Sequence, residues 1–173
     1  MTKNLLNKIL LLLLVATLIS VPGISQKRKA DKDTREWRYE IEAVRTGVTG
    51  TYLIKVWTYS KSPDVAIEQA KKNAVHGIIF RGFAGKAGVE GKPPLVSSPD
   101  LEIEKADFFD PFFDDGGKFM KFVSLTNDGA VAAEDRFRIG KEFKIGVLIS
   151  VNVGELRKDL EAGGIIRALN AGF

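Results

Sequence analysis

Residues 51–80 read TYLIKVWTYSKSPDVAIEQAKKNAVHGIIF, and the two halves of this stretch obey different periods. Residues 51–59 are rich in β-branched and aromatic side chains. Period two separates Tyr52, Ile54, Val56 and Thr58 from Leu53, Lys55, Trp57 and Tyr59, the pattern of a strand with two distinct faces. From Pro63 onward the spacing becomes four: Ala66, Ala70, Ala74 and Ile78 recur, with Ile67 and Gly77 beside them. Ser62 stands where an N-cap belongs, Pro63 suits the first helical position, and Asp64 meets the positive end of the helix dipole. A stripe of small side chains lets such a helix lie close against a sheet. Glu68, Lys71 and Lys72 fall on the side expected to stay wet.

Working outward, Trp37, Tyr39, Ile41 and Ala43 alternate with Arg38, Glu40 and Glu42, and residues 46–50 supply a turn. The two strands are therefore expected to pair as an antiparallel hairpin. Residues 82–98 carry four glycines and two prolines and break every period. This loop is longer than compact domains usually carry without a use. Ser98-Pro99-Asp100 repeats the helix-start chemistry, and one helix is expected through Leu101, Ile103, Ala106 and Phe109 toward Phe113, broken or kinked at Pro111. Residues 118–125 alternate as a strand, and 126–129, TNDG, form a strong turn. Residues 136–152 give the longest strand signal, with Gly140 and Gly146 marking a turn, a bulge or a close backbone approach. Asn152 followed by Glu155 resembles a capping box that opens a helix over Leu156 and Leu160. The order β-β-α-α-β-β-α predicts an α+β fold: an antiparallel or mixed sheet of about four strands with helices packed on one face.

The chain has 173 residues, 45% hydrophobic and 28% charged, with a net charge of +4, one histidine and no cysteine. That suits a single folded domain and excludes disulfide scaffolds, thiolate chemistry and a multi-histidine metal site within one copy. Residues 1–25 have the layout of a secretory signal peptide: Lys3 and Lys8, an apolar run from Ile9 to Ile19, a break at Pro22-Gly23, and small residues before Gln26. The run is short for a permanent span, so no integral anchor is expected after cleavage. Residues 26–35, QKRKADKDTR, form a flexible basic arm, and residues 36–173 are the single α+β domain. The two leader lysines account for part of the basicity, and export with a nearly balanced mature charge argues against nucleic-acid binding.

Catalytic signatures are weak. His76 has no adjacent acid or nucleophile pattern and reads as a structural histidine. Asp107, Asp110, Asp114 and Asp115 surround four phenylalanines, but their spacing does not match a calcium loop. Residues 85–92 lack the order of a phosphate-binding loop. No cofactor or metal is therefore expected.

The leader before Gln26 and the segments 52–57 (YLIKVW), 66–76 (AIEQAKKNAVH) and 144–152 (KIGVLISVN) resemble uncharacterised secreted proteins of Bacteroides-type bacteria. The alternation of an Ala-rich helix with a late V-x-V strand is also similar to small α+β domains of envelope lipoproteins and flagellar-assembly proteins, although this chain lacks their lipidated cysteine. The first resemblance spans nearly all of the mature chain and implies location and fold class, with no activity to transfer.

The resulting expectation is a non-enzymatic exported envelope protein, periplasmic or outer-membrane-associated or extracellular. It would bind another envelope protein or copies of itself through Trp57, Tyr59, Phe108, Phe109, Phe112 and Phe113 together with the 82–98 loop. The rival expectation is a small-molecule or glycan binder, or a hydrolase, using a cleft under that loop.

Overall fold

A computed structural model describes residues 37–168 apart from Gly47, Thr49 and Ala87. The expected leader of residues 1–25, the expected basic arm of residues 26–35, residue 36 and residues 169–173 lie outside the described residues. The elements run β1 (Tyr39–Thr46), β2 (Thr51–Ser60), α1 (Pro63–Phe80), α2 (Leu101–Glu104), α3 (Ala106–Phe113), β3 (Val123–Leu125), β4 (Arg136–Ile139), β5 (Glu142–Asn152) and α4 (Val153–Ala162). Short 3-10 turns occupy Lys118–Phe122, Thr126–Gly129 and Ala133–Asp135.

The fold is α+β, with an open antiparallel sheet of five strands among the described residues. β5 is central: β2 pairs along one side, while β3 and β4 lie end to end along the other. β1 closes the far edge by the expected hairpin with β2, its register shifting between Ala43 and Arg45. The sheet has one strand more than expected because the 136–152 stretch folds back on itself at Gly140, whose φ of +61° favours glycine in the turn.

Period two then divides the sheet. Tyr39, Ala43, Ile54, Val56, Thr58, Ile145, Val147, Ile149 and Val151 are buried on one face. α1 lies on that face, and its contact is as close as the small-residue stripe implies: Ala66, Ala70 and Ala74 are fully buried. The Thr58 hydroxyl donates to the Ala66 carbonyl at 2.8 Å. At Gly77 a Cβ would come within 2.2 Å of the Ile41 side chain, so the glycine is what lets the Ile41 and Tyr39 side chains of β1 pack onto the helix.

Four local expectations are corrected. Lys72 is buried rather than wet, because Phe119 from the 3-10 turn folds over that flank of α1, with the ammonium 5.7 Å from its ring. Ser62 takes the N-cap position of α1 without a side-chain capping bond. The helical segment after Asp100 breaks at Lys105, not at Pro111: Lys105 N–H closes α2 on Leu101, and Lys105 C=O accepts from Phe109 to begin α3. The break turns Phe109, Phe112 and Phe113 inward and leaves Ile103 exposed. Residues 118–122 form a 3-10 turn rather than a strand. Its period of three lets both Phe119 and Phe122 enter the core, which a period-two strand would prevent.

The start of α4 is as expected, with Asn152 Oδ1 accepting from Glu155 N–H at 3.1 Å. The 82–98 loop folds into a small hairpin-like excursion: Phe83 and Lys92 exchange two backbone bonds of 2.9 Å, as do Lys86 and Val89 at 3.0 Å. Leu95 and Val96 then donate to Ile78 and Ile79 and satisfy carbonyls at the end of α1.

Candidate functional site

The face of the sheet away from α1 carries the polar half of each strand. Glu40 pairs in register with Trp57 and Gly146, Glu42 with Lys55, and Tyr59 with Lys144 and Phe137. The Glu40 carboxylate accepts from the Tyr59 hydroxyl at 2.6 Å and from Lys144 Nζ at 2.9 Å. These bonds hold Glu40 below the usual carboxylate range. Lys55 pairs with Asp135 at 2.6 Å, Lys86 with Glu42 at 2.7 Å, and Arg38 with Glu142. Apart from the part-buried Lys55–Asp135 pair these are exposed and add little stability each, but together they fix the side chains of the face.

Trp57 sits at its centre. Gly146 lies beneath the indole, Lys55 and Lys144 ammonium groups approach the ring at 5.5 and 5.2 Å, and the Phe137 ring lies 5.7 Å away. The tryptophan is thereby buried, Tyr59 is half-buried, and exposed apolar area passes to Phe137 (49% exposed) and Ile139 (53% exposed) on β4. Both lie on the same face as Trp57, since they pair with Lys144 and Glu142.

The phenylalanine block is placed elsewhere. Phe109, Phe112 and Phe113 are buried in the core, with Phe80 against Phe109 and Phe122 stacked on Phe112. Phe108 is half-buried, close over Gly163. These four rings hold α3 and α4 to the body and do not form an exposed surface with Trp57 and Tyr59.

A cavity of about 360 Å³ lies between the β1–β2 turn and the 82–98 loop. Ala43, Val48, Leu53, Phe83 and Val89 supply apolar walls, and Arg45, Tyr52, Glu90 and Lys92 supply polar groups. Glu90 is ion-paired with Lys92, and the Thr51 hydroxyl donates to the Val48 carbonyl at 2.7 Å. Among the described residues the lining contains one carboxylate, Glu90.

The third feature has no local signature. His76 is buried, its ring stacked at 3.5 Å on Trp37, with Tyr39 Oη 2.6 Å from Nδ1 and Glu102 Oε2 3.1 Å from Nε2. A carboxylate accepts, so Nε2 carries the proton and Nδ1 accepts from the Tyr39 hydroxyl. Burial holds the imidazole below its ordinary pKa, against the opposing pull of Glu102. Burial also pushes the Tyr39 phenol well above its ordinary value, although Arg81 lies over its ring. A buried phenol held neutral is a poor nucleophile, and the three groups join β1, α1 and α2. The partners of His76 come from 37 and 26 residues away, which no local motif encodes.

Among the described residues no three His, Asp or Glu side chains converge as a metal site, and no helix is long and apolar enough to cross a membrane. Comparison with known protein families, curated proteins and solved structures yields no match.

Proposed function

We propose that this chain is a non-enzymatic, exported envelope protein that docks another protein through the open face of its sheet. The observation that carries the reading is the pair Phe137 and Ile139, two large apolar side chains half-exposed beside the Trp57 aromatic cluster and rimmed by charged residues. Apolar anchors inside a polar rim are the usual anatomy of a protein interface. The leader of residues 1–25 supports the location, and Trp57 and Tyr59 act in this reading as the rigid floor that positions β4.

The test is the double variant Phe137→Asp/Ile139→Asp, expressed in the native host and isolated with whatever binds it. Loss of a reproducible partner with little change in thermal stability supports docking. Retention of the same partners by the variant sinks it.

The cavity beneath the 82–98 loop favours a second reading, a binder of a small ligand, since its volume falls at the low end of known ligand sites. A glycan or metabolite hit abolished by Phe83→Asp, and unaffected by changes on β4, would select that reading.

A further inference from the structure

We propose that the outer edge of β4 receives an extended acidic segment of a partner protein, which adds to the sheet as a further strand. The inference rests on the docking reading and names the partner's chemistry.

β4 pairs only with β5 among the described residues, and all four of its residues are exposed. Every second residue of such an edge points its N–H and C=O outward, ready for another strand. The side chains alternate as Arg136, Phe137, Arg138 and Ile139, so the apolar pair lies on the Trp57 face and the two arginines on the reverse. Lys141 follows in the turn.

The charges set the partner. On this sheet Arg38 pairs with Glu142, Lys55 with Asp135 and Lys144 with Glu40, and Lys86 of the 82–98 loop reaches Glu42 on β1. Among the described residues Arg136, Arg138 and Lys141 have no such ion pair. Arg138 makes only a 3.4 Å bond to the Gly140 carbonyl and a 5.9 Å approach to the Phe143 ring. The carboxylates that flank β4 and its turn in sequence, Asp135 and Glu142, are already engaged by Lys55 and Arg38. An incoming strand that alternates carboxylate and apolar side chains matches both faces at once. It places acids opposite Arg136 and Arg138 and apolar groups opposite Phe137 and Ile139.

Two other occupants fit less well. A second copy pairing antiparallel through β4 about a two-fold axis brings like faces together, so the registers centred on the strand oppose arginine to arginine. A flat anionic bilayer meets one face of a strand, whereas the cations and apolar groups of β4 lie on opposite faces. The four residues of β4 span about 13 Å, so a partner segment of about five residues would suffice.

The experiment uses the purified protein and capped heptapeptides: glutamate alternating with valine, the same residues in two blocks, and lysine alternating with valine. Fluorescence anisotropy reads binding, and amide hydrogen exchange reads protection at 136–139. The expected result is that the alternating acidic peptide binds and slows exchange at the outward-pointing β4 amides by about tenfold or more. Its affinity should fall severalfold between about 50 and about 500 mM salt. The double variant Arg136→Glu/Arg138→Glu, folded by circular dichroism, should lose that peptide and bind the lysine peptide instead.

Equal binding of the block peptide, or no binding of any peptide, overturns the inference. So does protection of β4 by anionic vesicles alone, or by self-association at high protein concentration. Should the Phe137→Asp/Ile139→Asp variant still lose its native partner while the acidic peptide fails, docking stands and the added-strand geometry falls.

Discussion

Gly146 lies directly under the Trp57 indole, so close that a Cβ at this position would stand 2.8 Å from the nearest ring carbon and within 3.0 Å of two more. Three ring atoms at that distance leave no small movement that relieves the clash, and the neighbouring Phe137 ring limits the larger ones. The absence of one side chain on β5 is therefore what lets the tryptophan lie flat and support β4.

It follows that Gly146→Ala should destabilise the domain by about 1–3 kcal/mol, the usual cost of overpacking. It should also alter Trp57 fluorescence and increase the mobility of Phe137. Urea unfolding followed by tryptophan emission reads the stability and the indole environment, and side-chain NMR relaxation reads Phe137. An unchanged midpoint would mean that the indole does not rest on this glycine.

The His76 cluster predicts a particular pH dependence. The folded-state pKa of His76 lies below its ordinary value, first because of burial and despite the hydrogen bond to Glu102. The unfolded chain therefore binds the proton more readily. Stability is fully present above about pH 6.5 and is lost as pH falls from there toward the folded pKa. Tyr39 acts in the opposite direction: its pKa is raised, so stability declines as pH rises through the ordinary tyrosine value near 10. The chain has one histidine, so unfolding free energies between pH 7 and 5 should lose their slope near 6.5 in His76→Gln. A slope unaltered by this substitution would place the responsible group elsewhere.

Burial lowers the Lys72 pKa to about 8, against the charges of Asp115 and Asp114. Below that value the folded state must hold a desolvated ammonium, so this cost fades as pH rises from about 8 toward the ordinary lysine value. Lys72→Met should therefore be more stable than the parent at pH 7, by about 1 kcal/mol once screening by the two aspartates and water is allowed for. The advantage should be mostly lost by pH 10. Paired thermal melts at pH 7 and 10 test this, and a variant less stable at pH 7 contradicts it.

Asn152→Ala removes the acceptor for the Glu155 amide and should cost about 1 kcal/mol. Asn152→Asp should keep most of that stability, because its carboxylate accepts the same bond and suits the helix N-terminus. Chemical denaturation of the two variants side by side decides whether the cap or the packing of Leu156 holds α4.

Much of the architecture was legible because local periods and turn chemistry agreed with it: the β1–β2 hairpin, the Ala66–Ala70–Ala74 contact and the cap at Asn152, while Gly140 and Gly146 stood out without the pattern separating turn, bulge and close approach. The errors arose where burial comes from distant residues. Lys72 looked solvated because nothing nearby in sequence announces Phe119, and the period of three joining Phe119 to Phe122 was hidden inside an alternating pattern. Trp57 and Tyr59 were placed on the open face by periodicity, yet the exposed anchors proved to be Phe137 and Ile139. The available signal was the alternation Arg136-Phe137-Arg138-Ile139, a short strand polar on one face and apolar on the other beside a glycine turn. The phenylalanine block reads as a helix face entering the core, and Phe109, Phe112 and Phe113 do so; its other reading, a docking patch, places the anchors away from β4.

Site-specific photo-cross-linking in the native host addresses the docking face most directly. With the photoreactive residue at 139, the account predicts a discrete protein adduct that disappears when Phe137 is also changed to Asp, and none from exposed position 104 on α2. Equal adducts from both positions, or none from 139 in cells where the protein is exported and folded, would contradict a protein partner at β4.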